Sequence, residues 1–276
     1  MKLKEKIHMA VPSQDVIELN DGISDGLRQA IHHYVSAKHL IDDISGYTGA
    51  KIVAGELAND GYGPVCGFDF FVKTFPFVSK ASDVEMREEF FALVPTKQVI
   101  GASHSWRPDT VTNKDVLLKH LQTLHLRQEK HTEIAEYFWI KPLGLFLAHE
   151  GKNRVAFFRA MGCEHIPAKV ITCDYPAASR LVMYRVTLHG NKEWLIVRDN
   201  RFAELLEHAR WSHPVLSQYG VIESDAWPED YPPVALVLED CYSAIKSLRC
   251  THSVDLQGKK YATANHQGWW QRLKAA

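Results

Sequence analysis

The sequence predicts an α+β fold, and three observations carry that expectation. Several apolar runs are short enough for buried strands. Other apolar residues recur at helical spacing, as separate helices would require. The character of the chain also changes after Cys173, at Asp174-Tyr-Pro-Ala-Ala-Ser. Three regions are expected: a helical and glycine-rich N-terminal region over 1–91, a core over 92–174, and an α/β extension of hairpin plus helices over 175–276.

The N-terminal region has a short extended piece at Val16–Leu19. A helix should follow, because Leu27, Ala30, Ile31, Tyr34 and Val35 share a face; it should run to about Ile44 and stop near Gly46. Glycines then crowd residues 46–67, which reads as a connector. Val65–Val72 is expected as a strand, and Ser82–Phe91 as a helix capped by Ser82. Phe68, Phe70, Phe71, Phe75 and Phe77 fit a core cluster.

The core should open with a strand at Val94–Ile100 and a polar loop at Ser103–Asp109. In that loop Trp106 could stack on a base and Arg107 reach a phosphate; a plain surface loop fits equally. Asn113 can cap a helix whose Leu117, Leu121 and Leu124 lie on one face. Lys114 in its first turn opposes the helix dipole unless an anion is nearby, which makes it a phosphate-contact candidate.

The centre of the chain is Leu143-Gly-Leu-Phe-Leu-Ala-His-Glu-Gly-Lys-Asn-Arg-Val-Ala-Phe-Phe-Arg-Ala-Met-Gly162. The pattern reads as strand, polar turn at His149–Asn153, and a buried helix at Arg154–Met161 ended by Gly162. Ile166-Pro167 leads into a further strand. A helix start carries unpaired N–H groups and partial positive charge. Gly151 allows close approach, and Lys152 and Arg154 add full charge, so the turn suits a phosphate. A plain turn with Arg154 paired to a carboxylate satisfies the same pattern.

Glu150-Gly-Lys-Asn-Arg-Val-Ala156, then Gly162 and Ile166-Pro-Ala-Lys-Val170, resembles the core motif of the ParB/sulfiredoxin superfamily over residues 92–174. The resemblance implies that the turn and helix start bind nucleotide phosphates. Family members include partition-protein CTPases, sulfiredoxins, free-serine kinases and nucleases. Sulfiredoxins have a reactive Cys directly after the motif glycine, where this chain has Lys152. Partition proteins have an arginine-rich turn, where this chain has Asn153, and a helix-turn-helix domain that the downstream sequence lacks. The resemblance therefore points away from thiol chemistry and chromosome partition.

In the extension, Leu181–Leu188 and Glu193–Val197 flank a hairpin turn at His189–Lys192. Phe202, Leu205, Leu206 and Ala209 suggest a short helix, and Pro214–Pro233 mostly loop. A last helix should open at Pro232-Pro233 with the stripe Val234, Val237, Leu238, Cys241, Ile245 and Leu248. Trp269 and Trp270 could dock on the body or a partner.

Composition narrows the function. The formal net charge is −1, with 24% charged and 46% hydrophobic residues, so no global field draws nucleic acid. Five scattered Cys without a Cys-x-x-Cys pair argue against a disulfide framework and for a reducing cytoplasm. No apolar stretch reads as a signal peptide or membrane span. Fifteen His form no zinc motif.

The expected function is nucleotide binding with phosphoryl-bond chemistry. Gly151, Lys152, Asn153 and Arg154 would hold phosphates of ATP or CTP. Glu150 would orient Mg²⁺ or act as general base, with His149 as the alternative acid/base. A nuclease acting on DNA is the first alternative, and a non-catalytic inhibitor or scaffold the second. Expected partners are thus a nucleotide, DNA under the first alternative, a second copy as a homodimer, and no membrane.

Overall fold

The structure, a computed structural model, describes residues 17–19, 22–44, 67–78, 88–101, 111–123, 134–188, 190–246 and 253–257. It is mixed α+β and divides into two compact units. The first unit contains residues 1–71 and 82–175; the second contains 72–81 and 176–276. One division between the units falls at Tyr175/Pro176. The unit holding the 92–174 segment is larger than that segment, because the N-terminal strand and helix join its sheet and cover it.

The first unit is built on a six-stranded mixed sheet. Its strands are β1 (Ile17–Glu18), β2 (Glu89–Pro95), β3 (Val99–Ile100), β4 (Glu136–Ile140), β5 (Leu145–Glu150) and β6 (His165–Cys173). They lie in the order β1-β2-β6-β4-β5-β3. β4 and β5 are central and covered on both faces, which is why Leu145–Ala148 is continuously apolar rather than alternating.

One face of the sheet carries Val94, Tyr137, Trp139, Phe146, Ala148, Ala168 and Val170. Helix α4 (Lys152–Ala160) seals it with Val155, Phe157 and Phe158, all buried. Each such phenylalanine contributes roughly 1.5–3 kcal/mol by leaving water. Helix α3 (Lys114–Thr123) adds Leu117, Leu118 and Leu121 to the same layer. Trp139 and Phe146 stack at 5.6 Å, pinning β4 against β5. On the opposite face Phe138 meets Phe68 of helix α2 (Gly67–Thr74), and Phe70 of α2 meets Tyr34 of helix α1 (Asp25–Ile44). Ser24 caps α1 by accepting from the Leu27 N–H at 3.2 Å. Lys38 and Asp42 form a buried i,i+4 ion pair on α1. His39 Nε2 lies 3.1 Å from the Val99 carbonyl.

Three sequence expectations in this unit are corrected. Val65–Val72 is not a strand: residues 67–74 are helical. Gly67, Phe70, Phe71 and Thr74 are buried at i, i+3, i+4 and i+7, a helical period hidden inside a short apolar run. The expected Ser82–Phe91 helix fails at its end, where Glu89–Phe91 already belongs to β2; residues 82–87 lie outside the described residues. The expected Val94–Ile100 strand is broken after Pro95 by a 3₁₀ turn at Thr96–Gln98, so its first half lies next to one edge of the sheet and its second half forms the other edge.

The second unit holds a five-stranded sheet in the order β10-β7-β8-β9-β11. The strands are β7 (Leu181–Leu188), β8 (Asn191–Arg198), β9 (Phe202–Leu205), β10 (Ile222–Ser224) and β11 (Val254–Asp255). β7 and β8 form the expected hairpin, paired from Leu181↔Arg198 to Leu188↔Asn191. Helix α6 (Val234–Lys246) begins directly after Pro233, as expected, and packs Val234, Val237, Leu238 and Cys241 on Leu195, Val197 and Ala203. Leu248, Trp269 and Trp270 lie outside the described residues.

Two expectations in this unit are corrected. Phe202–Leu205 forms a strand rather than a helix, because buried Ala203 pairs with Val197 on one side and Val254 on the other, inside the sheet. The expected Pro214–Pro233 loop is corrected only in its first half; residues 225–233 are loop as expected. Helix α5 (Ala209–Tyr219) runs through Pro214 and ends at left-handed Gly220, and β10 follows. Pro214 is exposed, and it is the burial of Ser212, Val215 and Leu216 that holds this helix in place.

Candidate functional site

The geometry of the 150–154 turn follows from one glycine. Gly151 sits at φ 78°, ψ 26°, a left-handed conformation that reverses the chain between β5 and α4. A Cβ at this position would lie 3.0 Å from Ala135 Cβ and 3.2 Å from Ala135 Cα. The turn therefore presses against the chain just ahead of β4. As N-cap, Gly151 supplies no side-chain acceptor to the first-turn N–H groups. The Arg154 N–H does bond the Gly151 carbonyl, at 2.9 Å. At the far end α4 closes with a Schellman motif: Gly162 N–H to Arg159 O at 3.0 Å and Cys163 N–H to Phe158 O at 2.9 Å. Gly162 is left-handed there at φ 69°, as its place in the sequence suggested.

Lys152 and Arg154 occupy the first turn of α4, both half-buried, with Asn153 between them exposed. Among the described residues Lys152 has no ion-pair partner. The Arg154 side chain folds back along the turn: its Cδ lies 3.4 Å from where a Gly151 Cβ would be. Its charge acts on Tyr137 of β4.

Tyr137 is the residue that sequence reasoning missed. Its side chain is completely buried, and its hydroxyl has no hydrogen-bond partner among the described residues. Burial pushes the phenol far above its ordinary range, and the Arg154 charge offsets part of that rise. An orphan buried hydroxyl costs stability and calls for a partner. The sequence signal was only the alternation in Glu136-Tyr-Phe-Trp, which places Tyr137 and Trp139 on one face.

The carboxylates are arranged differently from the sequence expectation. A register shift between Glu136 and Tyr137 leaves Glu136 opposite Glu150 and Tyr137 opposite Ala148. Facing residues share a face of the sheet, so Glu150 lies beside Glu136, not beside Tyr137. Lys169 meets both Glu89, at 2.6 Å, and Glu136, at 3.5 Å. The Glu89 hydrogen bond and the nearby Glu136 charge raise the Lys169 pKa. Glu150 is exposed. The His149 ring packs against Phe138 at 5.1 Å, on the side away from Tyr137.

Lys114 is half-buried at the start of α3, in the same layer as α4. Trp106 and Arg107 lie outside the described residues. Among the described residues no three His, Cys, Asp or Glu side chains are grouped to hold a metal. No helix among them is long and apolar enough to cross a membrane. No protein-family model, curated protein or solved structure matches the chain.

Proposed function

We propose that the start of α4 binds the phosphates of a nucleotide, ATP or CTP, and that the protein carries out phosphoryl-bond chemistry there. The observation that carries this reading is the pairing of an uncapped, glycine-opened helix start with the fully buried, unpartnered Tyr137 hydroxyl beside Arg154. An anion here would receive backbone N–H groups, the Lys152 charge and a two-pronged Arg154 contact. The sequence resemblance to the ParB/sulfiredoxin superfamily supports the choice of nucleotide.

Mg²⁺ fits this proposal only in its usual role beside phosphate, where one or two carboxylates suffice. Glu150 is the residue that would meet it, since Glu136 is engaged by Lys169. When bound, the ion would neutralise phosphate charge. Glu150 and the backbone at Gly151 would orient the phosphate group, and Glu150 would take a proton from an attacking hydroxyl or water.

The test is calorimetry with ATP, CTP and GTP, with and without Mg²⁺, alongside hydrolysis assays. Arg154→Ala should weaken binding roughly ten- to a hundredfold, and Arg154→Lys should recover only part of it. Glu150→Gln should lower turnover more than affinity. A folded Arg154→Ala that binds like the parent would remove the turn from consideration. A parent that binds no nucleotide but cuts DNA with Mg²⁺ would replace this reading with a nuclease.

A further inference from the structure

The second unit contains a cavity of about 330 Å³ that the nucleotide reading does not use. Tyr184 of β7, Asn200 of the β8–β9 turn, and Pro228, Asp230, Tyr231 and Pro232 of the segment before α6 form most of its wall. Asn200 and its neighbour Asp199 are both left-handed, at φ 51° and 56°. That conformation suits Asn and Asp and turns the chain tightly. It sets the Asn200 carbonyl oxygen 3.2 Å from the Tyr231 hydroxyl, which donates to it.

Among the described residues of the wall Asp230 is the one charged side chain, and no Lys, Arg or His is among them. Pro228 and Pro232 have no N–H to offer. The Pro232 carbonyl faces the Trp227 indole N–H, which it accepts at 2.9 Å. Tyr184, Trp227 and Tyr231 pack edge to face, with ring centres 5.1, 5.3 and 6.2 Å apart. That spacing leaves no room for an ion between the rings, so they form a rigid wall that fixes the two phenol edges.

Charge pairing around the cavity singles out one carboxylate. Asp199 is held by Arg180, Asp225 by Arg185 and Asp255 by Arg201, each through two hydrogen bonds. Asp230 has no ion-pair partner among the described residues. It is exposed at the cavity and close enough for its charge to act on both Tyr184 and Tyr231. An unpaired carboxylate that is the one charged side chain among the described wall residues, with tyrosine rings alongside, favours a cation.

We propose that this cavity binds a small organic cation, an alkylammonium or guanidinium group, with Asp230 as its counter-ion and Asn200, Tyr184 and Tyr231 as hydrogen-bonding wall. The volume matches the space of roughly ten waters, enough for a short amine or the end of a lysine or arginine side chain. A carboxylate on the ligand would have to point away from Asp230, since no cationic side chain is among the described residues of the wall.

The test is calorimetry on the full chain with putrescine, agmatine, tetramethylammonium and an N-acetyl-lysine amide, and with succinate as anionic control. The amines and agmatine should bind, and succinate should not. Tetramethylammonium, which has no N–H, should bind more weakly than agmatine. Preference for the lysine amide would identify the cation as one presented by a protein chain; preference for the free amines would identify a metabolite. Asp230→Asn should weaken binding roughly ten- to a hundredfold. Tyr231→Phe, which removes one hydroxyl and keeps the ring, should weaken it less. Absence of binding by every cation overturns the proposal. So does a folded Asp230→Asn protein with the parent's affinity, or succinate binding as tightly as agmatine. None of these outcomes bears on Arg154 and the nucleotide.

Discussion

Gly151→Ala and Gly162→Ala make a matched pair, because both glycines are left-handed and they open and close the same helix, at φ 78° and 69°. In either place a side chain in that conformation costs about 1–2 kcal/mol. Loss of the glycine's freedom in the unfolded chain returns about 0.4–1 kcal/mol. At Gly162 a new methyl meets nothing within 4 Å, so only these two effects apply. The expected net cost there is about 0–1.6 kcal/mol. At Gly151 the methyl would sit 3.0 and 3.2 Å from Ala135 Cβ and Cα, atoms that cannot rotate away. Overpacking of that kind adds about 1–3 kcal/mol, for a total of about 1–4.5 kcal/mol. With two compact units the global transition need not be two-state. The local reading is therefore amide hydrogen exchange in α4 and β5, beside urea unfolding followed by circular dichroism. Gly151→Ala should lose more protection than Gly162→Ala, and only Gly151→Ala should also weaken nucleotide binding. A Gly162→Ala protein as damaged as Gly151→Ala would mean that the Ala135 contact does not control the turn.

Two further outcomes are expected. Tyr137→Phe removes a buried hydroxyl that has no partner, so urea stability should hold or rise slightly, while nucleotide affinity falls about two- to tenfold if the hydroxyl donates to a bound phosphate; a loss of stability above about 1 kcal/mol would show that the hydroxyl is already satisfied. Burial, helped by the Asp174 charge, pushes the Cys173 thiol up to about 11. It therefore stays protonated at neutral pH, and iodoacetamide followed by mass spectrometry should label it only on unfolding. Rapid labelling of Cys173 in the folded protein would contradict its placement.

The elements that were legible in the sequence are those with one buried face and a chemical stop. Helix α1 has its stripe and its Ser24 cap, α4 its terminal Gly162, and β7–β8 its turn at Gly190. The misread elements have patterns that two structures share. In Gly67–Thr74 a phenylalanine-rich segment interrupted only by Asp69 before Val72 conceals helical burial, and at Phe202–Leu205 four residues are too few to show a period. The break at Pro95 was visible as a proline, but nothing local shows that the chain on either side pairs with β6 and with β5 respectively. Those partners are distant in sequence, and sheet order is decided by packing rather than by the segment itself.

The candidate site divides along the same line. Gly151, Lys152 and Arg154 were legible because their roles are local: a left-handed turn, a helix start and a first-turn charge. Tyr137 was not, since what distinguishes it is the absence of a hydrogen bond, which exists only once β4 is buried between β5 and β6. Glu150 shows the limit of adjacency as evidence. It precedes Gly151 in the chain, yet the register shift sets it opposite Glu136 while Tyr137 faces Ala148. Two carboxylates held face to face repel unless a cation lies near, and Lys169 relieves only the Glu136 side. Under the proposed function, phosphate binding and proton transfer would make separate demands on this turn, Arg154 and Tyr137 bearing on the first and Glu150 on the second. That proposal therefore expects a variant series in which affinity and turnover move independently.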